Sequence, residues 1–455
     1  MKRLALLLTL IFLPLVIDAQ KQDFRAYAPT PPMGWNSYDC YGLCVNEEQV
    51  LQNAQYMSDN LLKYGWEYIV IDGRWFEDNA YPGYSYEAHD TIVVHNEYNI
   101  DEFGRLIPAV NKFPSSQNGR GFKPLIDKIH AKGLKFGLHL MRGIPKKSFV
   151  DKCPIWGTSH LTADKVAIAK NACGWSNDNY QLLTKKDGAQ QFYNSVFHLF
   201  AQWGVDFVKV DDIGYPYNTE EIEMIRKAID SCGRSIVLSL SPGECPLNKG
   251  LHVSSHANMW RIVGDLWDNW GQVKHLLAVS VNWSPYIGNG TWPDCDMIPM
   301  GKLAISQHPA NGKERQCRLS QTEQVTLFSL MAIAKSPLMF GGALTQMDDF
   351  TKSVITNREV LDVNQHSIGN RVVYADTKKI IWMAESQSSD FYYLALFNMS
   401  DDALSFEINL SDYGKKRSKT IENLWNLGIE KLRNGRVKVE IEAHGSLLYK
   451  IGCRN

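Results

Sequence analysis

The chain has 455 residues, 44% of them hydrophobic and 21% charged, with a formal net charge of −1 at neutral pH. This length exceeds that of one small domain and fits a large α/β domain followed by a smaller one. A balanced charge provides no electrostatic attraction to nucleic acid or to anionic membranes, so neither is predicted as a partner.

The N-terminal segment has the pattern of an export signal. Lys2 and Arg3 precede an apolar run from Leu4 to Ile17, and the small residue Ala19 follows at a plausible cleavage point. The run is too short to span a membrane as a helix. We therefore predict a signal peptide over residues 1–19, a secreted or periplasmic mature protein, and no membrane anchor.

An exported chain can form disulfides, and this sequence has nine cysteines. Three pairs are close in sequence: Cys40 with Cys44, Cys153 with Cys173, and Cys232 with Cys245. The odd total leaves at least one thiol unpaired within the chain, and the pairing stays open. No C-x-x-C pair occurs, so a zinc or redox centre is not indicated.

Helical and strand patterns alternate over most of the chain, which predicts βα units around a parallel sheet. The predicted helices are Asn46 to Tyr64, Phe122 to Lys132, Asp187 to Gly204, Thr219 to Ser231, Trp267 to Val281 and Thr322 to Ala334. The predicted strands begin after Thr30 and continue with Glu67 to Trp75, Leu134 to Met141, the run after Gly204, Ser235 to Ser241, Asn258 to Val263 and Pro337 to Gly342. Roughly eight such units fit, so we predict a (β/α)8 TIM barrel over residues 20–365.

The pattern changes near Asn370. Short strand-like runs follow, with polar turns and no helical pattern between them; they are residues 372–374, 379–384, 392–398, 403–410, 419–423 and 445–451. This arrangement predicts a C-terminal antiparallel β-sandwich domain over residues 366–455.

The stretch from Trp203 to Gly214 reads W-G-V-D-F-V-K-V-D-D-I-G and carries the clearest chemical pattern. Alternate residues of a strand share a face, so Lys209 and Asp211 are expected to point the same way. An adjacent ammonium group keeps a carboxylate ionised, which suits a nucleophile. A buried ion pair without chemistry would have the same pattern. Asp212, on the opposite face, is predicted to be a structural hydrogen-bond partner.

Other charged or titratable residues fall at the ends of predicted strands, where barrel enzymes carry their chemistry. Asp72 ends the second strand, His139 lies near the end of the third, and Arg261 belongs to the sixth. Asp265 follows that strand among three tryptophans, and aromatic surroundings favour the protonated carboxyl group that a general acid needs. Asp265 could instead cap the helix predicted from Trp267. One ionised and one protonated carboxyl group are together typical of a retaining glycosidase.

With these residues in place, the chain resembles glycoside hydrolase family 27, the α-galactosidase and α-N-acetylgalactosaminidase family. The resemblance covers Pro31 to Gly369 and extends through the C-terminal β domain. The motifs that carry it are P-P-M-G-W-N-S at 31–37, Y-I-V-I-D-G at 68–73, G-V-D-F-V-K-V-D at 204–211, W-R-I-V-G-D at 260–265, W-P-D-C-D-M at 292–297 and D-V-N-Q-H-S-I-G at 362–369.

The resemblance implies a retaining mechanism in which Asp211 attacks the anomeric carbon, while Asp265 protonates the leaving oxygen and later activates water. It also implies a set of sugar-binding residues, with Asp72, Lys209 and Arg261 on the hydroxyl groups and Trp35 as an aromatic wall. Asp294 and Asp296 are expected to support the site from the next loop. No metal or organic cofactor is implied.

Three positions depart from the pattern of galactose-specific members. Two consecutive aspartates usually follow the second strand, where this chain has Asp72 and Gly73, and His139 replaces a common tyrosine. Ser239-Leu240-Ser241-Pro242-Gly243 stands where animal-type α-galactosidases place a glutamate against the 2-hydroxyl group. A similar serine occurs in the N-acetylgalactosaminidase branch. His139 and Ser241 are therefore added as predicted substrate-binding residues.

We accordingly expect an exo-glycosidase that removes terminal α-linked galactose from oligo- or polysaccharides. An α-N-acetylgalactosaminidase or a β-L-arabinopyranosidase, whose sugar lacks the C6 group, is an alternative. A carbohydrate-binding protein without catalysis is disfavoured because both Asp211 and Asp265 are present. A metal-dependent hydrolase is disfavoured because no H-x-H pair ends a strand, and because His252 and His256 lack the glutamate of a zinc-protease helix motif. The oligomeric state stays open.

Overall fold

The computed structural model describes residues 23–80, 98–306, 312–387, 391–413, 420–432 and 434–452. The predicted signal peptide over residues 1–19 lies outside the described residues, as does Cys453.

A parallel sheet forms the centre of the larger domain, as the alternating pattern predicts. Its strands are β1 (Met33–Asn36), β2 (Tyr68–Ile71), β3 (Lys135–Met141), β4 (Phe207–Asp211), β5 (Val237–Leu240), β6 (Met259–Arg261), β7 (Trp292–Asp294), β8 (Met297–Ile298) and β9 (Leu338–Phe340). The order across the sheet is β7-β6-β5-β4-β3-β2-β1-β9-β8. Sequential strands are thus neighbours, which brings their carboxyl ends to one rim.

The first and last strands in this order, β7 and β8, are two pieces of one interrupted strand. β7 pairs in parallel with β6, whereas β8 pairs in parallel with β9. Cys295 and Asp296 separate β7 from β8, and Asp296 has a φ of +80°, which turns the chain sharply. The two pieces therefore close the sheet into a TIM barrel. This strand was not predicted from the sequence, because each piece is too short to show a period.

Helices surround the sheet, and six of them have bounds close to those predicted, whereas Asp349–Ile355 and Arg358–His366 were not predicted. The helices around the sheet are α1 (Glu47–Asn60), α2 (Lys123–His130), α3 (Ala189–Trp203), α4 (Thr219–Ser231), α5 (Trp270–Trp283), α6 (Gln321–Ile333), α7 (Asp349–Ile355) and α8 (Arg358–His366). Shorter helices are Tyr38–Tyr41, Lys146–Val150, Ala163–Val166 and Gly250–Ser254. Single 3-10 turns are Phe24–Tyr27, Leu62–Tyr64, Pro114–Ser116, Leu247–Lys249, Ser284–Tyr286, Leu344–Gln346 and Leu410–Tyr413.

Helix α5 begins three residues later than predicted. Its N-cap is Asn269, whose side chain accepts a hydrogen bond from the Gln272 backbone N–H. Asp265 is therefore not a helix cap, and the structural alternative considered for it is wrong.

The long segment between β3 and α3 folds into a small antiparallel sheet. Its strands are Ile144–Pro145, Ala167–Asn171 and Asn179–Leu182, in the spatial order first, third, second. The connection between the last two strands carries Trp175, which reaches the barrel rim. A separate two-stranded pair is formed by Lys302–Leu303 and Arg315–Gln316.

The C-terminal domain is an antiparallel β-sandwich, as predicted. One sheet contains Ser367–Ala375, Lys379–Ser386, Phe391–Asn398, Ser446–Gly452, Thr420–Asn423 and Ile429–Lys431 in that spatial order, and the other pairs Leu404–Asn409 with Arg436–Ile441. Ile381 and Leu394 of the first sheet share a buried cluster with Phe406 of the second. The strands at 429–431 and 436–441 were not predicted from the sequence.

The eight cysteines that the structure describes are free thiols, so the disulfides that the sequence permits do not form among them. Within the described parts of the chain, no helix has both the length and the apolar character needed to cross a bilayer.

Candidate active site

A cavity of about 200 Å³ lies at the rim where the strands end. Its lining combines charged side chains, which lie on three strands or on the loops that follow them, with aromatic and apolar side chains. The lining residues are Tyr38, Asp72, Trp175, Lys209, Asp211, Pro242, Asp265 and Met297. The topology therefore brings the two predicted catalytic aspartates to one cavity, although they are far apart in sequence.

Asp211 is the last residue of β4 and is buried. Its Oδ2 lies 3.1 Å from Nε2 of His139, and its Oδ1 accepts a hydrogen bond of 3.1 Å from the Asp212 backbone N–H. Burial would raise the pKa of Asp211, but the hydrogen bond from His139 and the charge of Lys209 outweigh it, so the pKa lies well below its usual range. Asp211 is therefore a carboxylate at neutral pH.

Lys209 is closer to Asp72 than to Asp211. Its Nζ donates a 2.8 Å hydrogen bond to Oδ2 of Asp72 and lies 4.0 Å from Oδ2 of Asp211. Burial would lower the pKa of Lys209, but the charges of the two carboxylates raise it above its ordinary value. The strand pattern predicts a pairing of Lys209 with Asp211 alone. In the structure, His139 is the nearer partner of Asp211, because it lies on the neighbouring strand.

Asp72 is held from three sides. Besides Lys209, the side chain of Asn36 donates to its Oδ2 at 3.0 Å, and the Gly73 backbone N–H donates to its Oδ1 at 2.8 Å. Burial would raise the pKa of Asp72, yet Lys209 and His139 lower it below the ordinary value. Asp72 is thus a fixed, ionised hydrogen-bond acceptor in the lining of the cavity.

Replacing Lys209 by Met should move the acid limb of the kcat/KM profile to higher pH. Burial raises the pKa of Asp211, and the charge of Lys209 lowers it. Without the ammonium group the pKa of this carboxyl group therefore rises, and its ionised form is lost at a higher pH. The matched control is Lys335→Met, because Lys335 is also buried but donates to the backbone carbonyls of Gln365 and Ser367. An unchanged acid limb in Lys209→Met would contradict this coupling.

Asp265 lies on the loop that follows β6, and 49% of its side chain is exposed. Its Oδ1 accepts a 3.2 Å hydrogen bond from Nη2 of Arg261. The expectation that tryptophans shield this carboxyl group is wrong, because its side chain is exposed to solvent. Trp260 packs in the core against Trp283, and Trp270 stacks on His444 of the β domain. The carboxyl group of Asp265 is therefore open to solvent.

A buried network fixes the loop of Asp265. Arg261 Nη1 lies 2.8 Å from Oδ1 of Asp296, and Oδ2 of Asp296 accepts a 2.7 Å hydrogen bond from the Leu266 backbone N–H. Asp294 in turn accepts from the Asp296 backbone N–H at 2.9 Å. Burial raises the pKa of Asp296 despite the opposing charge of Arg261. Asp294 is the last residue of β7, and Asp296 lies in the break between β7 and β8, so the two residues support the Asp265 loop from the interrupted strand position.

Four predicted binding residues are not among the described residues that line the cavity, namely His139, Arg261, Trp35 and Ser241. His139 and Arg261 instead contact the two aspartates of the lining, Asp211 and Asp265. Trp35 is fully buried, and its indole N–H donates to the Gly342 carbonyl at 2.9 Å. Ser241 is buried after β5, where its carbonyl accepts from the backbone N–H groups of Ile213 and Gly214. Ser241 therefore holds the loop that follows Asp211 in place.

Four lining residues were not predicted from the sequence, namely Tyr38, Trp175, Pro242 and Met297. Tyr38 directly follows the motif at 31–37, and Met297 is the last residue of the motif at 292–297. No sequence pattern indicates that Trp175 belongs to the site, because its segment is far from any predicted strand end. These side chains provide the aromatic and apolar walls that were assigned to Trp35.

Asp212 has the structural role that its position on the opposite face predicts. Its Oδ2 lies 2.8 Å from Nε of Arg142, whose Nη1 is 2.9 Å from Oε1 of Glu221 on α4. Burial raises the pKa of Asp212 to about 6, although Arg142 opposes this rise. This ion-pair chain links the end of β4 to the start of α4 and keeps the backbone after Asp211 rigid.

An ionised, buried aspartate and a solvent-open aspartate face one cavity at the rim where barrel enzymes hold their substrates. The protein is a glycoside hydrolase. Family models agree: one described as Alpha galactosidase A matches residues 175–366, and one described as Alpha galactosidase C-terminal beta sandwich domain matches residues 376–451. The chain belongs to glycoside hydrolase family 27.

Three relatives illustrate the similarity. A family 27 β-L-arabinopyranosidase of Geobacillus stearothermophilus is 42% identical, with a TM-score of 0.89 over 94% of this chain and 98% of that chain. A Bacillus halodurans protein, named provisionally as an α-N-acetylgalactosaminidase, is also 42% identical, with a TM-score of 0.82 over 93% of this chain and 97% of that one. An α-galactosidase of Cyamopsis tetragonoloba is 28% identical over 96% of this chain and 91% of its own length.

Proposed function

We propose that the protein is a retaining exo-glycosidase in which Asp211 is the nucleophile and Asp265 is the acid/base residue. The observation that carries this proposal is that both carboxyl groups line the same cavity. Asp211 is ionised and fixed by His139, as an attacking group must be. Asp265 is exposed on a loop, where it can reach the leaving group and then a water molecule.

The cavity suits a single terminal ring. An apolar cavity of roughly 150 Å³ accommodates benzene, so one of about 200 Å³ has room for a six-membered sugar with its hydroxyl groups. Asp72 and Lys209 offer an acceptor and a donor at its charged side, while Tyr38, Trp175 and Met297 form the apolar side. This division matches a sugar ring, which has polar edges and apolar faces.

In the first step, Asp211 attacks the anomeric carbon while Asp265 protonates the departing oxygen, and a covalent glycosyl-enzyme forms. In the second step, Asp265 removes a proton from water, which displaces the carboxylate of Asp211 from the same carbon. Two inversions restore the original configuration. Lys209 and Asp72 hold the ring hydroxyl groups in place throughout.

Proton NMR of the first-formed sugar tests this mechanism directly. The product should have the same anomeric configuration as the substrate before mutarotation mixes the two forms. Release of the opposite anomer would exclude Asp211 as a covalent nucleophile, because a single displacement inverts the carbon.

The sugar that best fits this cavity is β-L-arabinopyranose. Gly73 has no side chain where galactose-specific members usually carry a second aspartate, and the next side chain, that of Arg74, is buried beside Asp178 and Glu77. The chain thus lacks the carboxylate that would accept a hydrogen bond from a 6-hydroxyl group at this point. β-L-Arabinopyranose has the ring configuration of galactose but no C6 group. The 42% identical arabinopyranosidase supports the same choice.

An α-galactoside is the second candidate, because the curated relatives bear the name α-galactosidase. The values of kcat/KM on the nitrophenyl β-L-arabinopyranoside, α-D-galactopyranoside and α-N-acetylgalactosaminide discriminate the candidates. We expect the arabinoside to be preferred by about tenfold or more, a difference of about 1.4 kcal/mol in transition-state binding. Preference for either hexoside would overturn the pentose assignment but leave the proposed catalytic pair intact.

The substitution Gly73→Asp should shift specificity toward the galactoside. The new carboxylate can accept from the 6-hydroxyl group, and Gly73 lies outside the left-handed backbone region, so a side chain causes no backbone strain there. We expect the galactoside-to-arabinoside ratio of kcat/KM to rise by roughly tenfold.

The matched control is Gly73→Asn, which has the same size and geometry but no charge. It should raise the ratio less than Gly73→Asp does. An equal or larger rise in the Asn variant would mean that shape, and not the missing carboxylate, determines the choice of sugar.

A further inference from the structure

A second cluster of chemically active side chains lies away from the cavity, between α4 and the short helix Gly250–Ser254. Glu223 of α4, His252 and His256 each offer one ligand atom, and these atoms all lie within 4.8 Å of one another. Among the residues that the structure describes, this is the one group of three or more His, Cys, Asp or Glu side chains that could hold a metal ion. The glutamate that the sequence around His252 and His256 lacks is therefore present, but it comes from another helix.

The hydrogen bonds of the two histidines prepare them for a cation. Nδ1 of His256 lies 2.7 Å from the backbone carbonyl of His252, and a carbonyl can only accept, so Nδ1 of His256 carries the proton. Its Nε2 then has the free lone pair. Nδ1 of His252 is occupied by the hydroxyl group of Tyr217 at 2.6 Å, which leaves Nε2 of His252 pointing to Glu223. Metal-binding histidines characteristically use the second ring nitrogen in this way.

The spacing of the ligand atoms also fits a small divalent ion. Nε2 of His252 lies 3.2 Å from Oε1 of Glu223. Two ligands at about 2.0–2.1 Å from a tetrahedral zinc ion are about 3.3 Å apart. The imidazole rings of His252 and His256 stack with their centroids 4.2 Å apart and an interplanar angle of 23°. One nitrogen of each ring and one carboxylate oxygen of Glu223 thus lie within 4.8 Å of one another.

We propose that Glu223, His252 and His256 form a Zn²⁺ site with two imidazole ligands, one carboxylate and a water molecule. Nitrogen and oxygen ligands of this kind suit zinc. The three residues are separate from the lining of the catalytic cavity, so the ion is structural. It joins α4, which follows the strand of Asp211, to the helix that follows β5, and it therefore stabilises the barrel without entering the reaction.

Calorimetric titration of the chelator-treated full-length protein with zinc chloride tests this site. We expect one ion per chain, together with a rise in Tm and no change in kcat. His256→Ala and Glu223→Gln should each weaken binding by tenfold or more and remove the rise in Tm. His366→Ala is the matched control, because His366 is also a surface histidine with a carboxylate partner, Asp362, at 2.9 Å, and it should bind zinc as the unmodified protein does.

Two outcomes would overturn the proposal. One is the absence of both binding heat and a shift in Tm at micromolar protein concentration. The other is unchanged affinity and stoichiometry in both His256→Ala and Glu223→Gln, which would place the ion elsewhere. Circular dichroism of each variant without zinc shows whether it is folded, so a loss of binding can be separated from unfolding.

Discussion

Replacing Asp211 by Asn is expected to lower kcat by roughly 10⁴-fold or more, because the amide cannot form the covalent glycosyl-enzyme. The two side chains have the same shape, and the cavity around Asp72 and Lys209 stays in place. The affinity for the free monosaccharide should therefore change by only a few-fold. Steady-state kinetics and calorimetric titration with the sugar measure the two quantities separately.

Asp206→Asn is a close control for this experiment. Asp206 directly precedes the same strand at its other end, and its Oδ2 is also paired with a histidine, Nε2 of His130, at 2.7 Å. Its loss can reduce stability but should leave kcat nearly unchanged. Retention of turnover in Asp211→Asn, or an equal loss in Asp206→Asn, would remove Asp211 from the role of nucleophile.

Replacing Asp265 by Ala should have an effect that depends on the leaving group. A sugar leaving group needs a proton, so its release should slow by roughly 10²–10⁴-fold. Nitrophenolate departs without help, so the first step stays fast, the covalent intermediate accumulates, and a burst of nitrophenol precedes slow turnover. Added azide, which attacks without general-base assistance, should restore turnover of the nitrophenyl substrate.

The control variant is Asp127→Ala on α2. Its side chain is 57% exposed and pairs with Lys123, which resembles the 49% exposure of Asp265 and its pairing with Arg261. This control should react like the unmodified protein with both substrates. If Asp265→Ala lost the same factor with both leaving groups and did not respond to azide, a positioning role would replace the acid/base role.

Much of the barrel follows from local sequence, because a buried parallel strand and an amphipathic helix each have their own pattern. The helix Thr219–Ser231 was predicted at its observed bounds, and β3 within one residue. The seventh strand position escaped because Asp296 breaks it into pieces of three and two residues. Such pieces obtain their strand conformation from pairing with β6 and β9, and pairing partners are not visible in local sequence.

The surroundings of Asp265 are a second case. Three tryptophans flank it in sequence, yet Trp260 turns into the core and Trp270 reaches the β domain. Residues that are neighbours in sequence share an environment only when the backbone holds their side chains on one face. The loop that follows a strand does not hold its side chains in this way. Trp175 also lines the cavity, although it belongs to the long segment between β3 and α3. That segment has no periodic pattern of apolar residues, so its position at the cavity could not be predicted from the sequence.

The sequence by itself determined the fold class, because buried parallel strands and amphipathic helices have their own patterns. It also placed Asp72, Lys209, Asp211 and Asp265 at strand ends, and the structure brings these four residues to one cavity. Tertiary structure alone decided how these groups are paired: His139 rather than Lys209 is the nearest partner of Asp211, and Glu223 completes the pair of histidines at 252 and 256. These contacts join residues on different strands or helices. Their distances depend on packing and register, which act across the fold and leave no trace in any short stretch of sequence.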